Sequence, residues 1–117
     1  MAVEKVSQEA FQALTLAEQE ARGLNHSYIG TEHILLGLIG IPDSQAMKAL
    51  LALRVSPGMI RAQTAFIVGK GARSPDEQPT LTPRASKVLD LAMEQATRHN
   101  RNQVTTIDLL VALLLEG

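Results

Sequence analysis

At 117 residues the chain is one domain's worth of polypeptide, long enough to bury a core without metals or disulfides. Its only aromatics, Phe11, Tyr28 and Phe66, leave the core to Ala, Leu, Ile and Val; the lack of cysteine excludes a disulfide framework, a thiolate nucleophile and a cysteine zinc site. A net charge of −1 offers no footprint for nucleic acid or an anionic membrane, and the longest apolar run, Leu109 to Leu115, falls far short of the roughly 20 residues that span a bilayer.

The first twenty residues carry scattered charges and no apolar signal core, so the expectation is a soluble, cytoplasmic protein. Ser7 can cap a first helix, with Val6 placed to staple onto Phe11. Ala10, Leu14, Ala17, Ala21 and Leu24 then recur at helical spacing as a narrow, mostly small apolar stripe, and Gly23 and Asn25 mark its end. A polar turn closes on Gly30-Thr31, and a second helix is expected from Thr31 to Ile39, apolar on most faces and hence buried. Thr31 is read as its N-cap, and Glu32 falls in the first turn, where the helix dipole favours a carboxylate.

Gly40, Pro42, Asp43 and Ser44 make the next turn and cap, ahead of a third helix over about Gln45 to Leu53. Ser56-Pro57 restarts the chain with a capping serine and a proline at the first helical position, and this fourth helix reaches about Val68. Residues 69–80, with two glycines and two prolines, read as a linker. Thr82 then caps and Pro83 opens a further helix, striped by Ala85, Val88, Leu89, Ala92 and Ala96.

A shift of 75 residues aligns the two halves without a gap. Ala10 meets Ala85, Leu14 meets Leu89, Ala17 meets Ala92, Ala21 meets Ala96 and Asn25 meets Asn100. Thr31 then meets Thr106, Leu35 meets Leu110 and Leu38 meets Leu113. Cap, stripe, turn and second cap share one register. The expectation is an all-α chain built on a duplicated four-helix unit with internal pseudo-twofold symmetry. Residues 6–68 form repeat one and 81–117 a second repeat truncated at its C-terminal end, within a single domain over 1–117. The missing helices would leave apolar surface of Leu109 to Leu115 uncovered, as at a partner site, a truncation or a self-association surface.

Catalytic chemistry is not legible. Gly69-Lys70-Gly71 lacks the glycine spacing of a phosphate loop and the Ser or Thr that follows its lysine. His26, Glu32 and His33 could suggest a metal, but a turn separates the histidines and no third strong ligand is near; solvated or capping histidines are the better reading. No nucleophile elbow is present, which makes a small hydrolase remote, and no helix is basic enough to read DNA. Neither a cofactor nor a metal is expected.

Two strings, E-A-R-G-L-N-H-S-Y-I-G-T-E-H-I-L-L-G-L-I (Glu20 to Ile39) and L-T-P-R-A-S-K-V-L-D-L-A (Leu81 to Ala92), resemble the N-terminal domain of the Clp ATP-dependent unfoldases, closest to the ClpC type. The resemblance implies a non-catalytic pseudo-twofold helical bundle that sits on an ATPase ring. There it would dock protein substrates or adaptor proteins for unfolding and delivery to a peptidase. In ClpC-type members each repeat can offer a phosphoarginine site, in which the acid of the G-T-E-H motif holds the guanidinium and the helix start favours the phosphate. Carried over, that site is Thr31 and Glu32. The second repeat departs from the motif: Thr106 is kept, but Ile107 takes the acidic position and Asp108 stands one residue on, about 100° around the helix. One competent site at most is therefore expected, with Glu32 alternatively a helix stabiliser only. The ATPase ring would be engaged in cis, as part of a longer unfoldase, or in trans, by a free-standing accessory or adaptor protein.

Overall fold

The structure, a computed structural model, describes residues 6–72 and 77–116. The middle of the expected linker, residues 73–76, and Gly117 lie outside them. Six helices and two short strands follow in the order α1 (Gln8–Gly23), β1 (Tyr28–Ile29), α2 (Thr31–Ile39), α3 (Gln45–Ala52), α4 (Pro57–Val68), β2 (Thr80–Leu81), α5 (Pro83–Arg98) and α6 (Thr106–Glu116). No helix among the described residues is long and apolar enough to cross a membrane.

Local chemistry sets most boundaries. Ser7, Ser44, Ser56 and Thr82 each accept a bond from the backbone N–H three residues on, satisfying a donor that an opening helix leaves unpaired. Pro57 and Pro83 open α4 and α5 where the missing N–H is harmless. Asn25 and Asn100, 75 residues apart, both take a left-handed conformation, with φ of 57° and 58°, just past the ends of α1 and α5.

Each half is built on one intimate helix pair, α1 with α2 and α5 with α6. Ala10, Ala13, Ala17 and Ala21 form the buried face of α1, and Ala85, Val88, Ala92 and Ala96 that of α5. Small side chains let the facing helix approach closely, so Ile34 and Leu38 of α2 and Leu109 of α6 fill the centre. Val6 packs against this core beside Val104, while Phe11, its expected staple partner, is 53 % exposed.

The halves are knitted by exchange. β1 pairs in parallel with β2, Ile29 opposite Leu81, and the Thr82 N–H donates to the Ile29 carbonyl at 3.1 Å. Shifted by 75 residues and swapped between halves, the same contact recurs: Val6 bridges Val104, and the Ser7 N–H donates to the Val104 carbonyl at 2.8 Å. Each half therefore starts on the loop of the other. The fold is all-α, a pseudo-twofold helical repeat bundle to which residues 83–116 contribute two helices. The expected linker is also better anchored than its composition suggests. Pro79 is buried, and the Gly71 N–H donates to the Leu24 carbonyl at 2.8 Å.

Candidate functional site

Site geometry begins at the start of α2. The cap is Gly30, not Thr31: its backbone is extended, and its carbonyl receives the N–H groups of His33 and Ile34 at 3.1 and 3.2 Å. Thr31 is the first helical residue and half-buried. Glu32, its side chain 32 % exposed, folds back so that its carboxylate occupies space any side chain at position 30 would claim. Glycine at the cap thus lets an acid lie over an opening helix, where its charge is favoured.

Beneath Glu32 lies a chain of hydrogen bonds in which His33 caps the helix, one of the two expected readings, while neither histidine is solvated. His33 is fully buried and His26 nearly so. The Gly30 N–H donates to His33 Nδ1 at 2.8 Å, which places the His33 proton on Nε2. His33 Nε2 donates to His26 Nδ1 at 2.7 Å, and His26 Nε2 donates to the Gly69 carbonyl at 2.8 Å. Both rings are neutral in this arrangement, with one proton each, and their direct contact leaves no room for an ion between them. Tyr28 stacks on His26 with ring centroids 5.0 Å apart. Burial lowers the basicity of His33 below the ordinary imidazole value, against the opposing pull of the Glu32 carboxylate. Burial likewise raises the Tyr28 phenol, with Glu32 adding to the shift.

At the start of α6 the matched residues do something else. Thr105, the counterpart of Gly30, and Asp108, the counterpart of His33, cap the helix reciprocally. The Thr105 N–H donates to Asp108 Oδ2 at 2.8 Å, and the Asp108 N–H donates to Thr105 Oγ1 at 3.4 Å. The cap is therefore Thr105 rather than Thr106. Asp108 is fully buried and receives both ends of the Arg101 guanidinium at 2.7 Å. Burial alone would raise its carboxyl, but bonds from Arg101 and Thr105 outweigh that and hold it below the usual range. Thr106 is buried too, and its hydroxyl accepts from the Ala46 N–H of α3 at 3.2 Å. Ile107 is partly exposed. No acid thus stands at the Glu32 position of α6, and Asp108 is turned inward.

Thr31 and Glu32 also line an open groove of about 420 Å³. Its walls are Leu35, Leu50, Val55, Ile60, Leu110 and Leu113, from α2, α3, the α3–α4 turn, α4 and α6. Glu116 adds a second acid on the α6 side, 3.3 Å from Arg84. Sequence periodicity had marked Leu35 and Leu110 as a matched pair, but nothing local to Glu116 signals that it joins Glu32 around one groove. Among the described residues no group of three or more His, Cys, Asp or Glu is arranged to hold a metal.

Comparison with known proteins adds a family to this geometry. Residues 5–117 match the profile of the Clp repeat (R) N-terminal domain. Over 114 residues the chain is 38 % identical to an ATP-dependent Clp protease ATP-binding subunit, a ClpA homolog, of Guillardia theta, covering 97 % of this chain and 14 % of that protein. It is 37 % identical to the chloroplastic chaperone protein ClpC1 of Arabidopsis thaliana, covering 97 % and 12 %. Among solved structures it resembles the N-domain of ClpV from Vibrio cholerae at a TM-score of 0.84 and 18 % identity, covering 96 % of this chain and 68 % of that one. A complex of the ClpV N-domain with a VipB peptide gives 0.80 at 17 % identity, covering 96 % and 69 %. The chain spans about an eighth of the length of these curated relatives. With the duplicated helix pairs, the exchanged strands and a profile match over nearly every residue, the chain belongs to the Clp repeat (R) N-terminal domain family.

Proposed function

We propose that this domain is a non-catalytic docking module that presents protein substrates or adaptor proteins to a Clp ATPase ring. Support comes from the family, from a neighbour of the same fold whose N-domain is complexed with a peptide, and from an open apolar groove whose lining includes Glu32. Within that role we assign Glu32 the guanidinium of a phosphoarginine-tagged substrate, with the start of α2 facing the phosphate.

One observation carries the finer reading: Glu32 is a partly exposed carboxylate at an opening helix and in the lining of the groove, whereas the only acid at the matched helix start, Asp108, is buried on Arg101. A carboxylate and a guanidinium form charge-assisted bonds, and early helix amides receive anions. Recognition at α2 alone follows. Calorimetric titration with free phosphoarginine tests it. Heat is expected from the unmutated protein, lost in Glu32→Ala and retained in Ile107→Ala; absence of heat from the unmutated protein would overturn the phosphoarginine assignment.

A further inference from the structure

The hydrogen-bonded chain under Glu32 holds two protons, and a third costs it a bond. The Gly30 N–H donates to His33 Nδ1, His33 Nε2 donates to His26 Nδ1, and His26 Nε2 donates to the Gly69 carbonyl. Two of the four ring nitrogens are therefore donors and two are acceptors. A third proton has to land on an acceptor. On His26 Nδ1 it meets the His33 Nε2–H head-on, across 2.7 Å. The rings stay together only if His33 exchanges its tautomer, so that Nε2 accepts from His26 and Nδ1 carries the proton. The bonds between the rings and to Gly69 then survive, and the one from Gly30 is lost. The new His33 Nδ1–H faces Glu32 Oε1, 3.6 Å away. That gap is too long for a hydrogen bond, but a short approach closes it. Glu32 already folds over Gly30, where the missing side chain leaves it room.

From this juxtaposition we infer that the His26–His33 pair is a proton-operated switch on Glu32. A proton taken up from solvent turns His33 Nδ1 from acceptor to donor and draws the Glu32 carboxylate off the groove and onto the ring. The pair then bears one positive charge, on His26, answered by Glu32. A cation bound at Glu32 and a proton on the pair compete for one carboxylate, so each weakens the other. Of the other groups around the pair, Glu20 of α1 is held by Arg61 at 3.0 Å, and Tyr28 stacks on His26 as a neutral phenol. Glu77 lines a pocket beside His26, and Lys70, next to Gly69, is exposed. Burial of His33 opposes the proton, so the switch works on the acid side of the ordinary imidazole value of 6.5. The start of α6 has no equivalent, because Arg101 and Asp108 stand at the matched positions as an ion pair. This deepens the docking proposal: it rests on Glu32 as the binding carboxylate for its consequence, though not for the proton step itself.

Nuclear magnetic resonance of the full 117-residue protein with nitrogen-labelled histidine, titrated from pH 8 to 5, reads the protons directly. At pH 8 both rings should carry their proton on Nε2. On acidification His33 should gain one at Nδ1, the Gly30 amide should shift as its acceptor is lost, and the Glu32 carboxyl carbon should move with the same midpoint. That midpoint belongs to the pair. Glu32→Gln should lower it by about one pH unit, the influence of a carboxylate at this range, and Glu20→Gln should lower it less. A His33 that keeps its Nε2 proton throughout, or a midpoint unmoved by Glu32→Gln, overturns the switch. Calorimetry with phosphoarginine at about pH 7.5 and about pH 5.5 reads the consequence. Affinity should fall roughly fivefold or more at the lower pH, and His33→Asn should remove that loss. Binding of equal affinity at both pH values overturns the switch. Absence of phosphoarginine binding at both, with the histidine titration as expected, sinks only the phosphoarginine assignment. Should His33→Asn fail to fold by circular dichroism, the Glu32→Gln titration decides alone.

Discussion

Two pairs of residues hold the starts of α2 and α6, and they solve one problem with different chemistry. His26 and His33 in the first half correspond, at 75 residues, to Arg101 and Asp108 in the second. In each pair the later residue accepts the N–H of the cap and is itself held by the earlier residue. The Arg–Asp pair stays charged through the physiological range. The imidazole pair depends on both rings remaining neutral, since His33 Nδ1 must accept from Gly30. With its basicity lowered by burial, native His33 resists a proton that the unfolded chain takes up as pH falls through 6.5. Its contribution to stability is therefore complete above that value and is lost progressively below it. The groups facing the pair are the Tyr28 ring, the Glu32 carboxylate and, at longer range, Glu20, and the two acids favour the protonated form. Asp108, with its pKa lowered, loses its contribution only under more acid conditions, as pH falls below the ordinary 3.8 toward its native value. Urea unfolding from pH 8 to 5 should thus show stability declining below about pH 6.5. His33→Asn, whose amide oxygen can still accept from Gly30, should cost about 1–2 kcal/mol at pH 8 for the lost His26 bond and flatten that decline. An unchanged slope in His33→Asn would place the proton uptake elsewhere.

At the scale of elements, the close pairing of α1 and α2 turns on Gly37. A Cβ at that position would overlap the Ala13 carbonyl oxygen and come within 3.0 Å of the Ala17 N, both backbone atoms that cannot swing aside. The equivalent position in α6 is Ala112, fully buried, so the second pair is built with a methyl between its helices and the first is not. Gly37→Ala should therefore destabilise by about 3 kcal/mol, despite the better helix propensity of alanine, because the two helices must separate. Thermal unfolding decides it: a midpoint at or above that of the unmutated protein would show that the pair relaxes freely. The alanine stripes, capping serines and helix-opening prolines behind such pairs were legible in the sequence, because each is a local pattern whose period or spacing is set by helix geometry. The duplication was legible for the same reason. What local pattern could not reveal were contacts between distant residues: the two-residue strands joining Ile29 to Leu81, the docking of Gly69 on His26, and the meeting of Glu116 with Glu32 around one groove. The cap shifts, from Thr31 to Gly30 and from Thr106 to Thr105, have a physical source as well. In each half the residue at the third helical position, His33 or Asp108, reaches back to the cap, a role open to several residue types and hence weakly marked.

For the whole molecule, the exchanged strands decide how it comes apart. Each half begins by pairing with the loop of the other, through Thr82 to Ile29 and Ser7 to Val104, and α2 also packs on both α5 and α6. Unfolding one half would strip the other of the partner for its opening strand and expose Ile34, Leu38 and Leu109 together. Two repeats that merely stood side by side would be free to melt separately. The exchange instead predicts a single cooperative transition, as is usual for domains of this size. The sequence supplies a probe: Tyr28 is the sole tyrosine, there is no tryptophan, and the ring sits in β1 at the junction of the halves. In urea, tyrosine fluorescence and helical circular dichroism should report coincident midpoints. Gly37→Ala, although confined to the first half, should shift both by the same amount. If Tyr28 instead changed at a lower urea concentration than the helical signal, the first half would be melting ahead of α5 and α6, and the strand exchange would not couple the two repeats.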